Sequence, residues 1–195
     1  MSTVAAQARY TPEDLLKMPD GDHYDLVDGQ LVENAMSVWA GYVAVKISTR
    51  LQDYCHVNYP GWILSETAGY QCFSDAPNKV RRPDISFIRL GRLPVEQSME
   101  EGHILIPPDL AVEVVSPNDL DYEVQRKVEE YLKAGVRLVW VVNPQTHKVQ
   151  VHRATGPGTI LRESDDLEGE DVIPGFRCPI HDLFLPPIEA TEGTA

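Results

Sequence analysis

Two carboxylates stand where strands normally carry apolar side chains. In Ala111-Val112-Glu113-Val114-Val115, alternation puts Glu113 on the face shared by Ala111 and Val115, inside a run with no other polar group. An uncompensated carboxylate there is strongly disfavoured, so it must take up a proton or find a cation. Asp84 opens Pro83-Asp84-Ile85-Ser86-Phe87-Ile88, just after a proline that can only begin or edge a strand. If the two strands are neighbours, Asp84 and Glu113 converge. Two like charges in one half-buried place are tolerated mainly around a metal ion, and hard oxygen ligands suit Mg²⁺ or Mn²⁺ better than zinc. The competing arrangement pairs Glu113 with an arginine such as Arg82 and leaves Asp84 capping a loop.

Three further groups bear on that choice. In the segment Asp121 to Ala134, an apolar stripe runs through Val124, Val128, Tyr131 and Leu132, and Lys127 lies on its margin, roughly 60° from Val124 at helical pitch. From there an ammonium group can reach the end of a sheet; an ordinary Glu123–Lys127 surface pair is the alternative. Lys79, Arg81 and Arg82 immediately precede Asp84 and could grip a phosphate backbone beside such a site, or belong to a solvated loop. Ser116 has no identifiable base nearby, which makes its hydroxyl a cap for the following turn and not a nucleophile.

Composition narrows the function classes. The 195 residues carry 17 Lys+Arg against 30 Asp+Glu, a net charge of −13, which excludes non-specific clamping of nucleic acid by a basic surface. The charge is uneven: nine acids against Arg177 alone put −8 of it in residues 163–195. A local, metal-centred site remains compatible with weak intrinsic affinity for a polyanion. Cys55, Cys72 and Cys178 are too far apart for a CxxC pair and odd in number, so a reducing, cytoplasmic setting is expected. No apolar run is long enough for a signal peptide or a bilayer span, so no membrane association is expected, and the six histidines never fall at i, i+3 or i, i+4. Phosphate-loop, dinucleotide and nucleophile-elbow motifs are absent.

The elements that must position these groups read as mixed α/β in one domain. Thr11-Pro12-Glu13-Asp14 starts a short helix that Pro19 stops. Asp28-Gly29 joins the strands Tyr24–Val27 and Gln30–Glu33 into an N-terminal β-hairpin. Residues 38–57 form a long amphipathic helix. Strands follow at Trp62–Ser65, Ala68–Phe73 and Pro83–Arg89, a loop at Gly91–Pro107, and a central strand at Asp109–Ser116. Pro117-Asn118-Asp119 breaks that strand and offers a cap for the helix Asp121–Ala134, which Gly135 ends. VRLVWVVNP and KVQVHRA read as strands, with weaker ones near Thr159–Arg162 and Asp171–Ile173. Residues 1–9 are expected to be a flexible arm, 10–185 the domain, and 186–195 a disordered acidic tail.

Taken together, RRPDISFI, DLAVEVVSPND and RKVEEYLKAGVRLVWVVNP, with YDLVDGQLVE upstream, resemble the Uma-type restriction endonuclease family, a branch of the PD-(D/E)XK nuclease superfamily, over roughly residues 10 to 185. The resemblance implies a restriction-endonuclease-like fold, a mixed central sheet flanked by helices with the metal site at one end. It implies Mg²⁺ or Mn²⁺ held by Asp84 and Glu113, with the main-chain carbonyl of Val114 or Val115 nearby, and hydrolysis of nucleic acid, DNA in the first place. The superfamily's usual lysine position, two residues after the glutamate, is Val115 here, and Lys127 matches the place to which this branch moved its lysine. The family's hairpin acid, usually a Glu, corresponds to Asp25, with Glu33 the other candidate; each would bind the metal's outer waters or a second ion. A His that often opens the long helix is replaced by the stretch Ser37-Val38-Trp39-Ala40-Gly41. The alternatives are a catalytically degenerate nuclease fold serving as a binding module, and a structural partner protein dimerising through VRLVWVVNP as an exposed edge strand. A homodimer is the expected assembly.

Overall fold

The computed structural model describes residues 9–34 and 36–186, so the expected arm at 1–9 and tail at 186–195 lie, except for Arg9 and Pro186, outside the described residues. At the N-terminal end, α1 (Pro12–Lys17) is closed by a reciprocal Thr11/Asp14 capping box. The hairpin β1 (Tyr24–Val27) and β2 (Gln30–Glu33) turns through Asp28 at φ 52° and Gly29 at φ 79°, the left-handed pair that a two-residue turn requires. The long helix α2 (Val38–Asn58) follows, begun by the Ser37 hydroxyl accepting from Ala40 N–H.

Six strands make one mixed sheet in the order β3 (Gly61–Ser65), β4 (Ile85–Arg89), β5 (Leu110–Val114), β6 (Leu138–Asn143), β7 (Lys148–Arg153) and β8 (Thr159–Leu161). Only β5 and β6 run parallel, because α4 (Asp121–Ala134) makes the crossover between them, whereas the loop carrying α3 (Val95–Ser98) joins the antiparallel β4 and β5. Gly135, at φ 102°, ends α4 while Val136 N–H returns to the Tyr131 carbonyl. A ribbon of β9 (Asp166–Glu168) and β10 (Arg177–Pro179) and a short α5 (Ile180–Phe184) close the end of the α2 layer. No helix among the described residues is long and apolar enough to cross a membrane.

Several expectations are corrected. VRLVWVVNP is not an edge: β6 lies between β5 and β7 with all but its last residue buried, so dimerisation through it is ruled out by its own ladder bonds. The edges of the six-stranded sheet are β3 and β8. Ala68–Phe73 is not a strand but a clasp, in which Tyr70 exchanges backbone hydrogen bonds with Arg81. Gly69 is pressed against the Arg82 side chain, where a Cβ would come within 2.8 Å of Nη1. Residues 171–173 turn, and the pairing passes instead to β9 and β10, which the sequence pattern did not signal.

Candidate active site

The β4/β5 register fixes the carboxylate pair. Ile85 lies opposite Val112 and Ser86 opposite Ala111 in an antiparallel ladder, so one step beyond it Asp84 comes opposite Glu113, both directed to the face covered by α4. The Val114 N–H donates to Asp84 Oδ2 at 2.5 Å, which ties the residue before β4 to the end of β5. Asp84 and Glu113 line a cleft of about 90 Å³ together with Glu33, Asn34, Arg126 and Lys127. Val114 and Val115 border the same cleft. Burial, and then the neighbouring charge of Glu113, push the Asp84 carboxyl up to about 8, with Lys127 working in the opposite direction.

Glu113, 6% exposed, is held from α4 by two residues one turn apart. Lys127 Nζ donates to its Oε2 at 2.9 Å, and the Tyr131 hydroxyl donates to its Oε1 at 2.7 Å. Burial works against the Lys127 charge, but Glu113, Asp25 and Asp84 outweigh it and raise its pKa. Burial, reinforced by Glu113, lifts the Tyr131 phenol well above its ordinary value, so it stays a donor. The Glu123–Lys127 surface pair and the Glu113–Arg82 pair are therefore both set aside in favour of Glu113–Lys127. The Tyr131 hydroxyl went unrecognised in sequence because the residue fits the apolar stripe; its signal was its place four residues after Lys127.

Behind this pair lies a second ionic layer. Asp25 of β1 is fully buried, accepting from Arg81 Nη1 at 2.9 Å, the Arg82 N–H at 2.8 Å and Asn34 Nδ2 at 3.0 Å, with Lys127 Nζ 3.8 Å away. Arg81 Nε in turn donates to Glu130 at 2.7 Å, and Lys79 donates to the other Glu130 oxygen at 2.6 Å. The side chain of Arg82 donates to the carbonyls of Tyr24, Thr67 and Gly21. The three cations expected to grip phosphate thus turn inward: a carboxylate or carbonyl already answers each of them, and Arg81 and Arg82 are 1% and 4% exposed. Glu33 is exposed on the cleft rim. Ser116 also differs from expectation, its hydroxyl accepting from Ser37 N–H at the start of α2 while Asp119 caps the turn through Ser116 N–H. The helix α4 has no side-chain N-cap.

Among the described residues, no group of three or more His, Cys, Asp and Glu is arranged to hold a metal ion. Two carboxylates beside the Val114–Val115 segment at the cleft suit a different coordination. Mg²⁺ and Mn²⁺ are commonly held by one or two carboxylates while water and substrate phosphate complete the shell. The Asp84 pKa is raised by burial and by the Glu113 charge, and an ion bound between the two carboxylates would offset both.

Comparison with known proteins finds both a family and solved structures that resemble the chain. The profile of the Uma2 family, described as "Putative restriction endonuclease", matches residues 12–181. A crystal structure described as "a putative nuclease belonging to DUF820", from Anabaena variabilis, superposes with a TM-score of 0.76 at 20% sequence identity, covering 89% of this chain and 97% of that one. The mixed sheet with its flanking helices is therefore a nuclease-like fold. No curated protein matches the chain.

Proposed function

Since the chain belongs to the Uma2 restriction endonuclease family, we propose that it is a metal-dependent nuclease hydrolysing phosphodiester bonds at the Asp84–Glu113 cleft. The observation that carries this reading is the convergence of Asp84 and Glu113 across the β4/β5 register, with the Lys127 ammonium 2.9 Å from Glu113. Asp84 and Glu113 would hold Mg²⁺ or Mn²⁺, with the carbonyl of Val114 or Val115 as a neighbour; when bound, the ion polarises a scissile phosphate and acidifies attached water. Lys127 keeps a donor directed away from Glu113 for a phosphate oxygen or the attacking water, and its charge offsets the charge developing on phosphorus. Asp25, whose oxygens are engaged by Arg81, Arg82 and Asn34, serves in this reading as the rear counter-ion that aims Lys127. Glu33 at the rim is left for the ion's outer waters. DNA is the substrate that the family's description favours, and the net charge of −13 argues for weak intrinsic affinity. The three unpaired thiols fit a cytoplasmic location.

One observation favours the degenerate alternative: both oxygens of Glu113 are already satisfied by Lys127 and Tyr131. Calorimetry with Mn²⁺ separates the readings, because a degenerate site takes up no metal that Asp84→Asn abolishes. The activity test is cleavage of plasmid, single-stranded DNA and RNA with Mg²⁺ or Mn²⁺ by wild type, Asp84→Asn, Glu113→Gln and Lys127→Met. Metal-dependent cleavage lost in all three variants is expected. Cleavage that survives the first two overturns the site.

A further inference from the structure

We infer that Arg126 is the residue that anchors the substrate's phosphate backbone, at a phosphate flanking the one being cut. The inference rests on the nuclease reading above and supplies the cation that the inward-turned Lys79, Arg81 and Arg82 do not. Five acids line the cleft, Glu33, Asp84, Glu113, Asp119 and Glu123, against three cations, Arg81, Arg126 and Lys127. A polyanion entering there meets net repulsion, which one ion at the carboxylate pair would offset only locally. Arg81 is held by Asp25 and Glu130, and Lys127 by Glu113. Arg126 has no hydrogen bond or ion pair with any described residue, although Glu123 precedes it by three positions on α4 and Glu130 follows by four.

Its placement follows from helical geometry. Val124 and Val128 fix α4 on the sheet and Lys127 points to Glu113, so the residue one step before Lys127 emerges exposed on the cleft side. A guanidinium there offers a planar fork that suits two phosphate oxygens at once, and it pays no cost of breaking an existing pair. Its position beside the carboxylates, not among them, suits a neighbouring phosphate of the strand and not the scissile one.

The test is steady-state cleavage of a short labelled duplex in Mn²⁺, with kcat and KM resolved, at a series of salt concentrations. Because Arg126 is exposed, Arg126→Ala is expected to fold as wild type; Arg162→Ala, an exposed arginine outside the cleft, is the control. Arg126→Ala should raise KM about tenfold with kcat within about twofold, and should flatten the slope of log(kcat/KM) against log salt by about 0.9. Arg126→Lys should keep the slope and recover part of the KM, and Arg162→Ala should change neither. An Arg126→Ala enzyme with wild-type KM and slope overturns the anchor alone, as does a loss confined to kcat. A wild type that cuts no nucleic acid overturns the nuclease reading, and the anchor with it.

Discussion

The two faces of the central sheet are built from alternate residues of the same strands and hold opposite chemistry. Under α2, Ala40, Val43, Ile47 and Leu51 meet Ile85, Phe87, Val112 and Trp140 in a layer that α5 and the β9/β10 ribbon extend. Trp140, fully buried, is the bulkiest side chain of that layer. Under α4, Val128, Tyr131, Ala111 and Val139 make a smaller apolar patch, and beside it lie Asp84, Glu113, Lys127, Asp25 and Arg81. Val112 and Glu113 are adjacent in sequence and belong to different layers. The lesson is a division of labour: one face supplies the burial that holds the sheet, which lets the other keep a charge-rich cleft that no stability argument would place there.

The largest contrast should come from removing one group from the charged face. Asp84→Asn should lower activity by about 10³-fold, a barrier change of about 4 kcal/mol. The same change should leave the metal-free fold intact and raise its melting temperature at neutral pH. The sign follows from the raised pKa: the folded chain keeps the Asp84 proton between the ordinary value of 3.8 and about 8, where the unfolded chain has lost it. That residue therefore costs the metal-free protein progressively more as pH climbs through this window. Melts in a chelator should show the advantage of Asp84→Asn growing from pH 4 to pH 8 and then levelling; a difference that does not depend on pH breaks the claim that burial and Glu113 disfavour this carboxylate's charge.

Next in size is the ionic layer behind the cleft. Arg81→Met leaves Asp25 and Glu130 without their shared partner, and breaking a buried pair by removing one member costs about 3–5 kcal/mol. The matching change on the apolar face is Leu51→Ala, a fully buried side chain whose truncation costs about 2–5 kcal/mol. The two should look alike in denaturant melts and differ in assays. Folded Leu51→Ala molecules should cut at the wild-type rate, whereas Arg81→Met should lose activity even where it is folded, because the Asp25 oxygen that Arg81 releases competes with Glu113 for Lys127. Equal specific activity in both variants would erase the functional distinction between the faces.

How far each face was legible follows from the range of its contacts. Asp84 and Glu113 were readable because each interrupts a strand pattern, and Lys127 because it sits on the margin of an apolar stripe. The central strand, the hairpin turn and the Gly135 stop were readable for the same local reason. The ionic layer was not, because it joins β1, the segment before β4 and α4 across 49 to 57 residues of sequence. Lys79, Arg81 and Arg82 look like a solvated loop until Asp25 and Glu130 are placed against them. A hairpin acid such as Asp25 looks solvent-facing until three of the four β1 residues prove buried. β9 and β10 are three residues each, too short for alternation to reveal.

The finest test of the contrast is a single oxygen. Tyr131 belongs to the apolar patch under α4 by packing and to the cleft by its hydroxyl, which gives Glu113 a hydrogen bond of 2.7 Å. Tyr131→Phe keeps the packing and removes only that donor, so stability should fall by about 1.5–3 kcal/mol at most, the value of a hydrogen bond to a charged group. Glu113 retains Lys127 and loses its second restraint, so its carboxylate gains freedom to rotate. If that restraint positions the ligand, activity should drop about tenfold, the scale of small misplacements at a reacting centre, and Mn²⁺ affinity should weaken by a similar factor. If Tyr131 acts only as core, melting shifts while metal affinity and rate per folded molecule stay at wild-type values. That result would move the boundary between the two kinds of packing to the far side of Tyr131, leaving Lys127 alone to orient Glu113.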